Sequence, residues 1–159
     1  MSAERSVTSP ELVYADDVAP GHEFDLGTWH YTESEIIEFA SSWDPLAIHV
    51  DPSAAARSAF GGVIASGIHS MAVMQRLSVD GLYHRTSIIA GRSIISCDLH
   101  APARPGMTVR GIVRILDVQR RQGRGDAIVR TESSLVVADG GVTGDAIYVM
   151  VGDSLWAYR

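Results

Sequence analysis

The second half of the chain places the tightest limit on its fold. Segments 88–100, 107–119, 127–138 and 142–151 are each rich in β-branched residues, and turn-forming residues separate them. The separators are Pro102-Ala103-Arg104-Pro105-Gly106, the polar stretch 122–125 and Asp139-Gly140-Gly141, the last a strong hairpin signal. Such a series predicts four strands in antiparallel succession.

The first half reads differently. Alternation over 24–31 predicts a first strand. Thr32 with Glu35 three residues on is a capping-box pattern. Ile36, Phe39, Ala40 and Trp43 follow at helical spacing, so a short amphipathic helix is expected to about Ser42. Asp51-Pro52 is a second helix start, an Asp cap followed by Pro at the first helical position. Ser66-Gly67 opens a third helix in which Ile68, Met71, Ala72, Met74 and Leu77 are apolar nearly all the way round, which predicts an interior position. The expected class is α+β, a buried helix against one antiparallel sheet. No repeat or linker divides the chain, so 1–159 reads as one domain with residues 1–20 as an N-terminal arm.

Composition narrows the function classes. Hydrophobic residues make up 46% and charged residues 20%, the ordinary globular range. A net charge of −6 argues against a nucleic-acid binder. No apolar run reaches the roughly 18 residues of a membrane span, and the polar start lacks a signal pattern, so a cytoplasmic location is expected. All 13 basic residues are Arg, which removes Schiff-base lysine chemistry. The single cysteine, Cys97, cannot form an internal disulfide, and its apolar alternating surroundings predict a buried, inert thiol. His22, His30, His84 and His100 offer no metal-ligand spacing. Phe60-Gly61-Gly62 lacks the spacing of a phosphate loop. Neither a metal nor a cofactor is expected.

Two constellations can carry chemistry. Asp44 and His49 make a sensible proton-moving pair at neutral pH, with the histidine titrating near the operating range and the carboxylate orienting it. From the residues alone, Asp44 before Pro45 also fits a helix cap, and His49 a hydrogen-bonded core histidine. At Ser66-Gly67, a glycine opening a helix lets a ligand approach backbone N–H groups at the positive end of the dipole, which suits a developing oxyanion. The alternative is a Ser cap with a glycine that relieves crowding. His69 could face the same cavity or be structural.

The run Trp43-Asp44-Pro45-Leu46-Ala47-Ile48-His49-Val50-Asp51, followed by Phe60-Gly61-Gly62-Val63-Ile64-Ala65-Ser66-Gly67-Ile68, resembles the hydratase motif of the MaoC-like proteins. The flanking stretches from Val13 to Phe24 and from Leu99 to Val109 match the same family, so the resemblance covers nearly the whole chain. It implies a hot-dog fold, an antiparallel β-sheet wrapped around a central α-helix, and a homodimer or higher even oligomer. The implied substrate is an acyl-CoA or acyl-carrier-protein thioester, hydrated or dehydrated at a 2-enoyl/3-hydroxyacyl unit. By position, Asp44 and His49 would be the catalytic acid–base pair. Ser66, Gly67 and Ile68 would bind substrate, with the Gly67 N–H on the thioester carbonyl. The chain departs from the family pattern at Leu46 and Ala47, usually Asn and Pro, at Ser66, usually His, at Ile68, usually Met, and at Gln75, where a Ser is usual. A hot-dog thioesterase and a non-catalytic acyl-CoA-binding relative are the alternatives. Arg85, Arg92 and Arg121 are candidates for the CoA phosphates.

Overall fold

A computed structural model describes residues 12–138 and 144–159. The elements run β1 (Glu23–His30), α1 (Glu33–Trp43), α2 (Ala47–Val50), α3 (Pro52–Ala56), α4 (Gly67–Gly81), β2 (Ile88–Leu99), β3 (Thr108–Arg120), β4 (Asp126–Val137) and β5 (Ala146–Ala157). All five strands form one antiparallel sheet in the order β1-β3-β4-β5-β2. The long helix α4 packs against β1, β3 and β4. This is the hot-dog arrangement.

The local signals act where the sequence put them. Thr32 Oγ1 accepts the Glu35 N–H at 3.2 Å and starts α1. Asp51 Oδ1 accepts the Ala54 N–H at 3.0 Å, and Pro52 opens α3. Ser66 caps α4 through the Ile68 N–H at 3.3 Å. The capping box at Thr32 is only half made. The Glu35 carboxylate turns away from the Thr32 backbone to side chains on β1 and α4.

Strand succession differs from expectation, because β2 pairs with β5 at the far edge and β3 lies beside β1. The cause is at the Pro-rich connection. Pro102 and Pro105 cannot donate ladder bonds, and the segment after them is tied to the end of β1. Gly106 N–H donates to Tyr31 O at 2.7 Å and Tyr31 N–H to Met107 O at 2.9 Å. Beyond that anchor β3 pairs along β1, from His30 with Thr108 to Glu23 with Arg114. The expected turn at Asp139-Gly140-Gly141 lies outside the described residues. The last strand extends to Ala157 rather than stopping at Val151. Asp153 on it pairs with Arg130 of β4, while Trp156 is fully buried.

Three burial expectations are corrected. Cys97 is exposed, because among the described residues β2 is an edge strand bonded on one side only, and both of its faces are largely open. Trp43 ends α1 at 71% exposure instead of joining its buried face. The helix α4 is covered on one side, by His69, Ser70, Val73, Met74, Leu77 and Ser78, while Ile68, Ala72, Gln75 and Val79 stay open. Of the expected arm, residues from Leu12 onward lie against the body. Val13 exchanges backbone bonds with Arg85 and Ser87, and Ala15 is fully buried. Among the described residues no helix is long and apolar enough to cross a membrane.

Candidate active site

Asp44 caps the C-terminus of α1, its N–H bonded to Ala40 O at 2.8 Å, because a residue before proline is driven out of helical geometry. The one-turn helix α2 then swings His49 inward to 5% exposure. His49 Nδ1 lies 2.7 Å from Ile64 O. A carbonyl only accepts, so Nδ1 carries the hydrogen and the neutral ring presents a bare Nε2. That Nε2 stands 3.5 Å from Asp44 Oδ2. Ser66 Oγ donates to the same carboxylate oxygen at 2.6 Å. Two side chains from separate elements thus converge on one oxygen of Asp44.

Ser66 spends its hydrogen on Asp44 and its oxygen on the Ile68 N–H, so it acts on the carboxylate and the helix start together. Gly67 is the next residue, and its N–H makes no hydrogen bond among the described residues. A Cβ built there would lie 2.5 Å from Leu99 Cδ1, so the Leu99 side chain closes over this point and would have to shift for any larger residue. Apolar side chains rim the site: Leu46 beside Asp44 is 58% exposed, Ile68 53% and Leu99 59%.

A chamber of about 660 Å³ runs between α4 and the inner face of β2, β4 and β5. Ile68 lines its wall, as do Met71 and Gln75 further along α4. Asp44 and His49 do not line it, and the link to them is Ile68, the residue after Gly67. Arg92 reaches the chamber from β2, whereas Arg121 is held bidentate by Asp126. Among the described residues no three His, Cys, Asp or Glu side chains cluster as metal ligands.

A second polar cluster escaped the sequence reading. Glu35 Oε1 accepts from Trp29 Nε1 at 3.0 Å and lies 3.1 Å from His69 Nε2. The His69 ring stacks on Phe39 at 4.4 Å and meets Tyr31 edge-on, and its Nδ1 is buried without a partner among the described residues. Burial pushes the His69 pKa down, against the opposing pull of Glu35. Burial likewise pushes the Tyr31 phenol up to about 12, with a bond to Ser70 opposing and the Glu35 charge adding. The cluster bolts α1 to α4 one turn from Ser66. Its signals are single residues on three elements, and no local spacing connects them.

The comparisons with known proteins agree with this architecture. The family model described as MaoC like domain matches residues 16–137. An uncharacterized protein of Bacillus subtilis (strain 168), YdeM, is 30% identical over 107 residues, which is 67% of this chain and 76% of that one. The MaoC-like dehydratase from Rhodospirillum rubrum superposes with a TM-score of 0.82 at 28% identity, over 92% of this chain and 98% of that one. The unliganded R-hydratase PhaJ1 of Pseudomonas aeruginosa shares the fold at a TM-score of 0.71 and 15% identity, over 93% of this chain and 88% of that one. With the motif residues gathered at one end of the central helix and the family model covering most of its length, this chain belongs to the MaoC-like domain family.

Proposed function

We propose that this protein adds water to a 2-enoyl thioester, or removes it from the 3-hydroxyacyl form, with Asp44 and His49 as the acid–base pair. The observation that carries the reading is the tautomer lock on His49. With Nδ1–H committed to Ile64 O, the bare Nε2 and the Asp44 Oδ2 are two acceptors 3.5 Å apart. Two facing acceptors repel until a molecule with two O–H bonds sits against both, and water is that molecule. In hydration the water oxygen bonds to the β-carbon as one of its protons passes to the pair, the C=C π electrons shift toward the thioester carbonyl, and the pair then delivers a proton to the α-carbon. The thioester carbonyl gains enolate charge meanwhile, and the Gly67 N–H at the helix N-terminus is the donor that offsets it. Ile68 guides the acyl chain from that point into the chamber.

A homodimer, or a larger even assembly, follows from the edge strand. Among the described residues β2 bonds only to β5, and it exposes Ile89, Ile94, Ile95 and Leu99, a surface that a second copy would cover. A CoA or carrier-protein thioester in the cytoplasm is the substrate setting this reading carries. The test is a panel of 2-enoyl-CoAs of increasing length, followed for loss of enoyl absorbance and for thiol release. Loss of absorbance without thiol supports hydration. Thiol release instead identifies a thioesterase, and binding without either marks a non-catalytic acyl-CoA binder.

A further inference from the structure

A strand facing a helix across a core is expected to carry hydrocarbon at every inward position. On β4, Ala127, Val129 and Leu135 obey this, each fully buried. Between them, Thr131 and Ser133 do not, at 5% and 2% exposure. Both line the chamber beneath α4, as does Ser78 of the helix itself. Most of the chamber's hydroxyls are spent on the protein. Ser78 donates to Met74 O at 2.8 Å, and Thr131 is in hydrogen-bonding reach of the Tyr83 phenol. Ser154 donates to Val129 O at 3.4 Å and accepts Trp156 Nε1–H at 2.8 Å.

Ser133 Oγ is different, for it has no hydrogen-bond partner among the described residues; the same holds for Ser93, but that residue is exposed on the edge strand β2, whereas Ser133 sits deep on β4. Ser133 Oγ is not sealed inside the protein as His69 Nδ1 is but opens onto the chamber, so an apolar filling would take its water without a replacement. Valine or alanine would fill the same position without that loss. Gln75 brings a second polar group to the chamber from α4, at the position where the family pattern has Ser.

We infer that the chamber receives an acyl group bearing an oxygen function (hydroxyl, keto or carboxyl) that hydrogen-bonds Ser133, rather than an unbroken hydrocarbon chain. The inference rests on the hydratase reading for the rest of the molecule. Ile68 marks the thioester end, so the oxygen lies further along the acyl tail. An unbroken chain would bury Ser133 Oγ dry, and a site built around a polar group discriminates against ligands that cannot pair it.

The test uses 2-enoyl-CoAs of matched length, one with a hydrocarbon terminus and the others ending in hydroxyl, keto or carboxyl. kcat/KM is measured for the parent, Ser133→Ala and Ser133→Val, alongside equilibrium binding of the corresponding 3-hydroxyacyl-CoAs, with folding checked by melting. The parent should favour one oxygenated chain by at least about tenfold. Both variants should lose that advantage, bringing the kcat/KM values for the oxygenated and hydrocarbon chains to within about threefold of each other. A parent that prefers the hydrocarbon, or a preference that survives both substitutions, overturns the inference. Preferential binding through Ser133 without turnover would retain the chamber assignment and remove the hydratase reading. Neither binding nor turnover would remove both.

Discussion

Ser66 Oγ donates a 2.6 Å hydrogen bond to Asp44 Oδ2, joining the residue that starts α4 to the residue that ends α1. The family pattern has His at position 66, and a serine reaches the carboxylate through a much shorter side chain. Hydrogen bonds to charged groups contribute about 1.5–3 kcal/mol. Ser66→Ala should therefore lower kcat by about ten- to a hundredfold if the bond holds Asp44 in its working orientation. Steady-state kinetics should show the loss in kcat with KM little changed. A variant with parental kcat would assign Ser66 to capping alone.

Leu99 lies where a side chain on residue 67 would have to go. Gly67→Val should displace it and push the N–H out of line, costing on the order of a hundredfold or more in rate. Because the clash is with the far end of a flexible side chain, Leu99→Ala in the same protein should restore the melting temperature but not the rate. Recovery of both would mean that Gly67 only makes room.

His69 gives the fold a pH dependence. Its folded pKa lies below its unfolded value near 6.5, chiefly through burial, with Glu35 opposing. Between the two pKa values the unfolded chain binds more protons, so stability is complete above about pH 6.5 and declines as pH falls through that window. Melting temperatures from about pH 7 down to about pH 5 should drop more steeply in the parent than in His69→Gln. Parallel curves would place the sensitivity elsewhere.

Much of this was legible because the signals are local. Thr32, Asp51-Pro52 and Ser66 each sit within three residues of the N–H they cap, and Asp44 and His49 are separated by one short turn. Strand order was not legible, since the choice of β1 as partner for β3 depends on Tyr31 meeting Gly106 and Met107, far along the chain. Alternation along β2 resembled that of a buried strand, and nothing in it announced an edge that leaves Cys97 and Ile94 open. The Trp29–Glu35–His69 cluster was hidden for the same reason, its members lying on β1, α1 and α4.

The open β2 edge predicts association. Light scattering should show a homodimer or a larger even assembly, and Ile95→Arg should shift it toward monomer by placing a charge on the contact. A parent that stays monomeric at micromolar concentration would contradict the dimer and leave the exposed isoleucines unexplained.

The central claim is that Asp44 and His49 act on one water as a unit. Asp44→Asn keeps the shape and removes the base, and His49→Ala removes the ring that Ile64 O orients. On whichever 2-enoyl-CoA the parent hydrates best, each should lower kcat by roughly a hundred- to ten-thousandfold. The double variant should be scarcely worse than the worse single one, since groups that act together do not add. The decisive measurement is the rate of enoyl loss per folded molecule for the parent, both singles and the double. Large, non-additive losses per folded molecule are the predicted result, with the melting temperature of Asp44→Asn near the parent's and that of His49→Ala lowered by loss of its buried bond. A His49→Ala protein that is looser yet nearly as active per folded molecule would contradict the account and make His49 a structural histidine.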